Sequence, residues 1–309
     1  MKKFFFIIFS CSLAQDTLPF KILYGHTEGI NTITYSPVHK LLISGAKDQT
    51  IRIWDINLFT PVTTYTIPGS SIKKLTLTKK NDYLLVSNYR NAYLFRFPDL
   101  KKIKTLKKIH ESYVESIALT PNESFLITSS WRGKSLRSFS FPSVKKKITF
   151  PENTWIDFVL PLSDHIFLSS GHDNQIKEWN INTGQLTHIY NGHSDWVYDM
   201  DLDTSKKIFY SFGFDKTVIA WDYFGKKIVY QWNFFKNPLL DGCYIPEKNI
   251  LFCSDTEGYI YAIDTNKKIC FLTWKGHNAQ INELIYIRTE NGSFLVSASM
   301  DKTIKLWKL

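Results

Sequence analysis

Gly192-His193, followed by Ser211-Phe212-Gly213-Phe214-Asp215-Lys216-Thr217-Val218-Ile219-Ala220-Trp221-Asp222, is one copy of a phrase that runs through the chain. A turn-forming residue precedes an apolar run, which ends on an aromatic residue and a second turn. The closing position reads Trp54, Phe97, Phe139, Trp179, Trp221, Ile263 and Trp307, at intervals of 40 to 44 residues. Six residues upstream stand Asp48, Asn91, Gly133, Asp173, Asp215, Glu257 and Asp301. Gly-His or its remnant opens many copies, at Gly25-His26, Ile109-His110, Gly192-His193 and Gly276-His277. Self-similarity at such a period means one supersecondary unit repeated, each unit too small to bury its own apolar face.

The combination resembles the WD-repeat family, in which each copy is a four-stranded blade of a β-propeller. The resemblance covers about residues 20–309 and implies an all-β fold, a seven-bladed β-propeller of four-stranded antiparallel blades. Seven such blades account for nearly the whole chain as one domain, residues 17–309, behind a tail of residues 1–16. The 23 Phe and 16 Tyr suit half-buried pleated strands. The sequence stops two residues after Trp307, leaving the seventh blade without an outer strand. Phe20-Lys21-Ile22-Leu23-Tyr24 is an orphan strand at the other end, and completing the last blade with it would close the ring.

Three repeats carry a full polar set: His26, Ser44, Asp48 and Trp54; His193, Ser211, Asp215 and Trp221; His277, Ser297, Asp301 and Trp307. The resemblance makes these a buried hydrogen-bond network, and a set repeated around a ring does not read as a single catalytic nucleophile. Repeats 2, 3 and 6 depart from it at Phe97, Phe139, Ile263 and Gly133 and are expected to rely on apolar packing. In Gly171-His172-Asp173 the spacing to Trp179 puts His172 in the turn between strands b and c, pointing to the surface.

In this family the face formed by the d–a and b–c loops most often carries partners, and three positions per repeat project there. They place Tyr113, Trp155, Trp196, Tyr198 and Phe214 in three consecutive blades, with His172 among them, and Lys47, Lys73, Arg90 and Arg132 in the preceding arc. Exposed aromatics beside a basic rim suit a protein-binding surface for an acidic peptide with an aromatic or aliphatic anchor. The alternative is that some of these rings plug the central channel.

The opposite face holds Lys79-Lys80, Lys101-Lys102, Lys145-Lys146-Lys147, Lys206-Lys207, Lys226-Lys227 and Lys267-Lys268. With a formal net charge of +10, this rim suits RNA, an anionic membrane or an acidic protein, or is simply a set of solvated turns. No Gly-rich phosphate loop, HExxH or zinc-spaced cysteine pair occurs, so neither an enzyme, a small-molecule substrate, a cofactor nor a metal is expected. Cys243 and Cys253 flank the a–b turn of repeat 6 as candidate cross-strand neighbours.

The N-terminus pairs Met1-Lys2-Lys3 with the apolar run Phe4–Phe9 and Ser12-Leu13-Ala14, the order of a secretory signal, and the run is too short to span a membrane. The resemblance favours cytosol or nucleus instead, as do the three remaining cysteines, an odd number. Asn122-Glu-Ser124 and Asn291-Gly-Ser293 read as glycosylation sequons or as turns.

Overall fold

The computed structural model describes residues 18–309, and the leader-like segment lies outside the described residues. Seven four-stranded antiparallel sheets stand in a ring, and the described residues contain no helix, so none long and apolar enough to cross a membrane. Blade 1 shows the plan: strand a at Ile30–Ser36, b at Leu41–Ala46, c at Thr50–Asp55 and d at Thr60–Thr66. The b strands are short continuous apolar runs because neighbouring blades cover both their faces, whereas the outermost d strands face water.

No blade owns a core. Seven apolar clusters lie at the seven junctions between blades; Leu168, Ile176 and Tyr190 of blade 4, for example, pack on Val197, Phe209 and Trp221 of blade 5. Each blade therefore depends on its neighbours, and the ring depends on closure. Closure comes from strand Lys21–Leu23, which pairs antiparallel with Ile304–Lys308 in the register Lys21↔Leu306, Ile22↔Lys305 and Leu23↔Ile304. The Phe20 N–H adds a bond to the Leu306 carbonyl at 2.8 Å, and Leu23 is buried between blades 7 and 1. The orphan strand thus completes the last blade as expected.

The inner rim carries a second set of links. The side chain of one inner-strand residue accepts a hydrogen bond from a backbone N–H of the next blade: Thr32 from Leu75, Ser116 from Val159, Asp199 from Gly242, Asp241 from Leu284 and Glu283 from Ile33. These five staples join blade to blade around the channel and satisfy N–H groups that would otherwise be buried without partners.

Blade 2 corrects the sequence register. Phe95, not Phe97, pairs with Leu84 as Trp54 pairs with Leu42, and the left-handed turn residue Arg90 (φ 64°) matches Gln49 (φ 67°). Phe97 matches Ile56, since each N–H bonds back to the a–b turn, at Asp82 and Lys40 respectively. Both Phe95 and Phe97 lie in the cluster between blades 1 and 2, two residues apart on one face, which is why the sequence does not separate them. Cys243 and Cys253 are not opposed either: Cys243 pairs with Phe252 and Cys253 with Gly242, so the two thiols face opposite sides of blade 6. Both sequons sit in a–b turns.

Candidate interaction face

The repeated polar set assembles as a buried network. In blade 5 His193 Nδ1 lies 3.0 Å from Asp215 and Nε2 2.6 Å from Ser211 Oγ, while the Trp221 indole N–H donates to the same Oγ at 2.8 Å. Blade 1 repeats these contacts through His26, Asp48, Ser44 and Trp54, and blade 7 through His277, Asp301, Ser297 and Trp307. With Nδ1–H on the carboxylate and the serine O–H on Nε2, every polar atom of the triad has a partner. Burial pushes the His26 and His277 imidazoles below their usual range, so they are neutral links at pH 7. Burial alone would raise the Asp48 carboxyl, yet the bonds from Thr50 and His26 hold it low.

The departing repeats do not all rely on apolar packing. In blade 3 His110 bonds Thr128 Oγ1 at 2.8 Å and Ser135 Oγ, small hydroxyls standing in for serine and aspartate. In blade 6 the Asp255 carboxylate takes Asn237 Nδ2 at 2.8 Å and the Tyr261 O–H at 2.9 Å. Blade 4 keeps the indole bond, Trp179 to Ser169 at 2.8 Å, and replaces the histidine by Glu152, paired with Lys177 at 2.8 Å. These networks fix the d–a loops and thereby the face they form.

That face is built at bulges. In most blades a β-bulge interrupts the start of strand a, as at Ile30/Thr32, Ile156/Phe158 and Val197/Asp199. The bulge re-aims one residue per blade at the channel mouth. Asn31, Lys73, Glu115, Asp157, Tyr198, Leu240 and Asn282 line a cavity of about 170 Å³ there. Lys47, exposed on the b–c turn of blade 1, stands at its edge.

Outside the mouth runs an arc of rings. Tyr89 and Tyr113 meet at 4.9 Å; Trp131 lies 5.5 Å from Trp155; His172 lies 4.9 Å from Trp155 and 3.8 Å from Trp196; Trp196 lies 5.3 Å from Phe214. The arc brings together Trp155, Trp196 and Phe214 through His172, with Tyr198 beside them on the bulge, whereas Tyr113 pairs with Tyr89 instead. Of Tyr113, Trp155, Trp196, Tyr198 and Phe214, only Tyr198, at 37% exposure, is exposed; the rest are half-buried, each with another ring against it, Tyr89 on Tyr113 and His172 between Trp155 and Trp196. His172 corrects the expectation of a surface-pointing ring: its side chain is 10% exposed, wedged between two indoles with Nε2 3.0 Å from Asp157. Gly171 makes this possible, since a Cβ there would meet the Trp155 carbonyl oxygen at 1.9 Å, the same carbonyl that accepts the His172 N–H.

The basic residues divide. Lys73 pairs with Glu115 at 3.0 Å and lies 4.6 Å over the Tyr113 ring, and the exposed Arg132 lies 4.7 Å over Trp131. Arg90 does not join the arc's rim in the way its spacing suggests. It is the turn residue of a b–c loop one residue shorter than in blade 1, with Nε bonded to the Glu111 carbonyl at 2.8 Å and its guanidinium over Tyr89. Tyr89 takes the projecting place instead. In blade 3 the same loop is one residue longer, so Trp131 takes the projecting place and its N–H bonds the Tyr113 carbonyl, as Lys47 bonds Gly29. Sequence reasoning missed both, although an aromatic in every b–c turn of blades 2 to 5, counting His172, is a visible signal.

The lysine rim is exposed on the opposite face but partly engaged. Lys226 pairs with Glu178, Lys206 reaches Tyr244 and Asn249, and Lys207 and Lys268 lie over Phe224 and Tyr230.

Below the mouth, Lys74 pairs with Glu283 at 2.6 Å among the carboxylates of Asp199 and Asp241. Burial pushes the Asp199 carboxyl up to about 7 against the pull of Lys74, and burial with Asp199 alongside holds Asp241 well above the carboxylate range. Between about pH 4 and about pH 7 the folded protein keeps a proton on Asp199 that the unfolded chain has released, so the stability contributed here falls as pH rises through that window. Asp199→Asn retains an oxygen for the Gly242 N–H and removes the loss. Relative to the native chain, it is expected to gain on the order of 4 kcal/mol between pH 4 and pH 8. Denaturant unfolding of both proteins at the two pH values checks this, and an equal difference at both would refute it.

The family profile described as "WD domain, G-beta repeat" matches residues 18–55, 100–137, 184–222 and 268–308, half of the chain. Each matched segment holds one of the network histidines, His26, His110, His193 and His277. Among curated proteins the chain is similar to nuclear distribution protein PAC1 of Arthroderma otae, 21% identical over 93% of this chain and 60% of that protein. It is also similar to periodic tryptophan protein 2 of Arabidopsis thaliana, 22% identical over 82% and 24%, and to cell division control protein 4 of Saccharomyces cerevisiae, 23% identical over 92% and 31%. The chain thus spans less than two thirds of the length of these relatives.

Proposed function

Because the chain belongs to the WD-repeat family, whose propellers are generally non-catalytic interaction modules, we propose that it is a non-enzymatic scaffold holding other proteins within a larger assembly. The observation that carries this reading is the arc of rings from Tyr89 to Phe214, which crosses four blades on one face outside the channel mouth. Clustered indoles with a polar rim are the composition of a contact surface in which a few anchors supply most of the binding energy. Lys47, Arg132 and the overall positive charge favour an acidic segment along the rim.

The test is capture of partners by the intact chain and by a Trp155→Ala/Trp196→Ala variant. Capture is expected to fall at least about tenfold in the variant, since aromatic anchors each contribute on the order of 2 kcal/mol. The melting temperature is expected to stay within a few degrees, because neither ring belongs to a junction cluster.

A further inference from the structure

Between blades 3, 4 and 5 the arc encloses a cavity of about 180 Å³ with an acidic floor and aromatic walls. Glu115 and Asp157 form the floor; Trp131, His172 and Trp196 form the walls. The Asp157 side chain is more than nine-tenths buried. Its Oδ2, and Oε1 of Glu115, are out of contact with solvent and make no hydrogen bond of good geometry, although His172 Nε2 and Lys73 Nζ each approach to 3.0 Å. Burial pushes both carboxyls above their usual range, the sign of charges short of a counter-charge. Lys73 is the one lysine on the cavity wall, so two carboxylates there share a single fixed cation.

We propose that this cavity receives an arginine side chain of a partner protein. This rests on the scaffold reading and names the anchor, which the sequence left as aromatic or aliphatic. A guanidinium is flat, weakly hydrated and forked, so it can lie against an indole and donate to two carboxylates at once. The cavity already holds a flat ring in that way, His172 at 3.8 Å on Trp196, and Arg132 stacks its own guanidinium on Trp131. A lysine ammonium is a compact, strongly hydrated charge and gains less from the indole faces.

The experiment records the nine indole N–H signals of the ¹⁵N-labelled full chain by NMR while blocked tripeptides Gly-Arg-Gly, Gly-Lys-Gly and Gly-Glu-Gly are added. Trp→Phe variants assign the signals. The arginine peptide is expected to move the Trp131 and Trp196 signals saturably, with the lysine peptide about tenfold weaker and the glutamate peptide without effect. Asp157→Asn and Glu115→Gln, which keep shape and remove charge, should each weaken the arginine peptide by about tenfold. Signals that do not move, that move equally with lysine, or that respond unchanged in both charge variants would overturn the proposal. If the peptide does not bind while the Trp155→Ala/Trp196→Ala variant still loses its partners, the arginine assignment fails and the scaffold stands. If that variant keeps all its partners, the scaffold reading itself fails.

Discussion

Deleting residues 17–24 is expected to abolish the cooperative thermal transition, whereas deleting residues 1–14 is expected to leave it in place. The eight residues include the strand Lys21–Leu23, the outer strand of blade 7. Without them Ile304–Lys308 becomes an open edge, and the junction between blades 7 and 1 loses Leu23. The Phe20 ring, 5.1 Å from Phe294 and 5.6 Å from Phe59, goes as well, and with it a bridge from the last blade to the first. One buried leucine, one half-exposed ring and a short ladder are together about 5 kcal/mol, comparable with the whole stability of a typical domain. Because no blade has a core of its own, an open ring has no subset of blades to retreat to. Circular dichroism and calorimetry on both truncations check the expectation, and identical melting of the two would show that closure lies elsewhere.

Trp221→Ala is expected to cost about 4 kcal/mol, and Trp221→Phe less than half of that. The indole is buried at the junction of blades 4 and 5, stacked at 5.9 Å on Phe209 and edge-on to Tyr190 at 5.5 Å. Alanine leaves a cavity among these rings and takes the indole donor from Ser211 Oγ. Phenylalanine loses the donor and keeps most of the packing, and the fold already tolerates it, since Phe95 and Phe139 hold the equivalent position in blades 2 and 3. Ser211 would still bond His193, so the triad survives the milder change. Urea unfolding of the three proteins measures the order. Equal losses for the two variants would mean that the hydrogen bond, not the volume, carries the tryptophan.

The parts of this structure that were legible in the sequence are those where one residue type has no substitute. A buried imidazole with two satisfied nitrogens needs an acid on one side and a hydroxyl on the other, so His26, His193 and His277 announce their blades. Where several chemistries meet one requirement the pattern fades. The inner staples need an oxygen that can accept an N–H, and Thr32, Ser116, Asp199, Asp241 and Glu283 all qualify, so their period is hidden behind four residue types. His110 is satisfied by two hydroxyls, and Gly133 beside it misleads.

The face was legible only where loop lengths held. Trp155, Trp196 and Phe214 fall where counting puts them, because blades 4 and 5 keep the turn lengths of blade 1. One residue fewer in blade 2 and one more in blade 3 moved Tyr89 and Trp131 into the projecting places and turned Arg90 aside. Counting also could not show that the rings from Trp131 to Phe214 stack one on the next, or that two buried carboxylates lie beneath them, because both depend on contacts between blades.

The central claim, a protein-binding face on the arc of rings, is tested most directly by quantitative mass spectrometry of proteins captured on the intact chain and on the Trp155→Ala/Trp196→Ala variant. Captures run side by side at low and high salt, with and without nuclease. The account predicts a defined set of proteins held by the intact chain, lost on the variant, insensitive to nuclease and only weakly sensitive to salt. A set held equally by both chains, or released by nuclease and falling steeply with salt, would contradict it and place binding on the lysine rim.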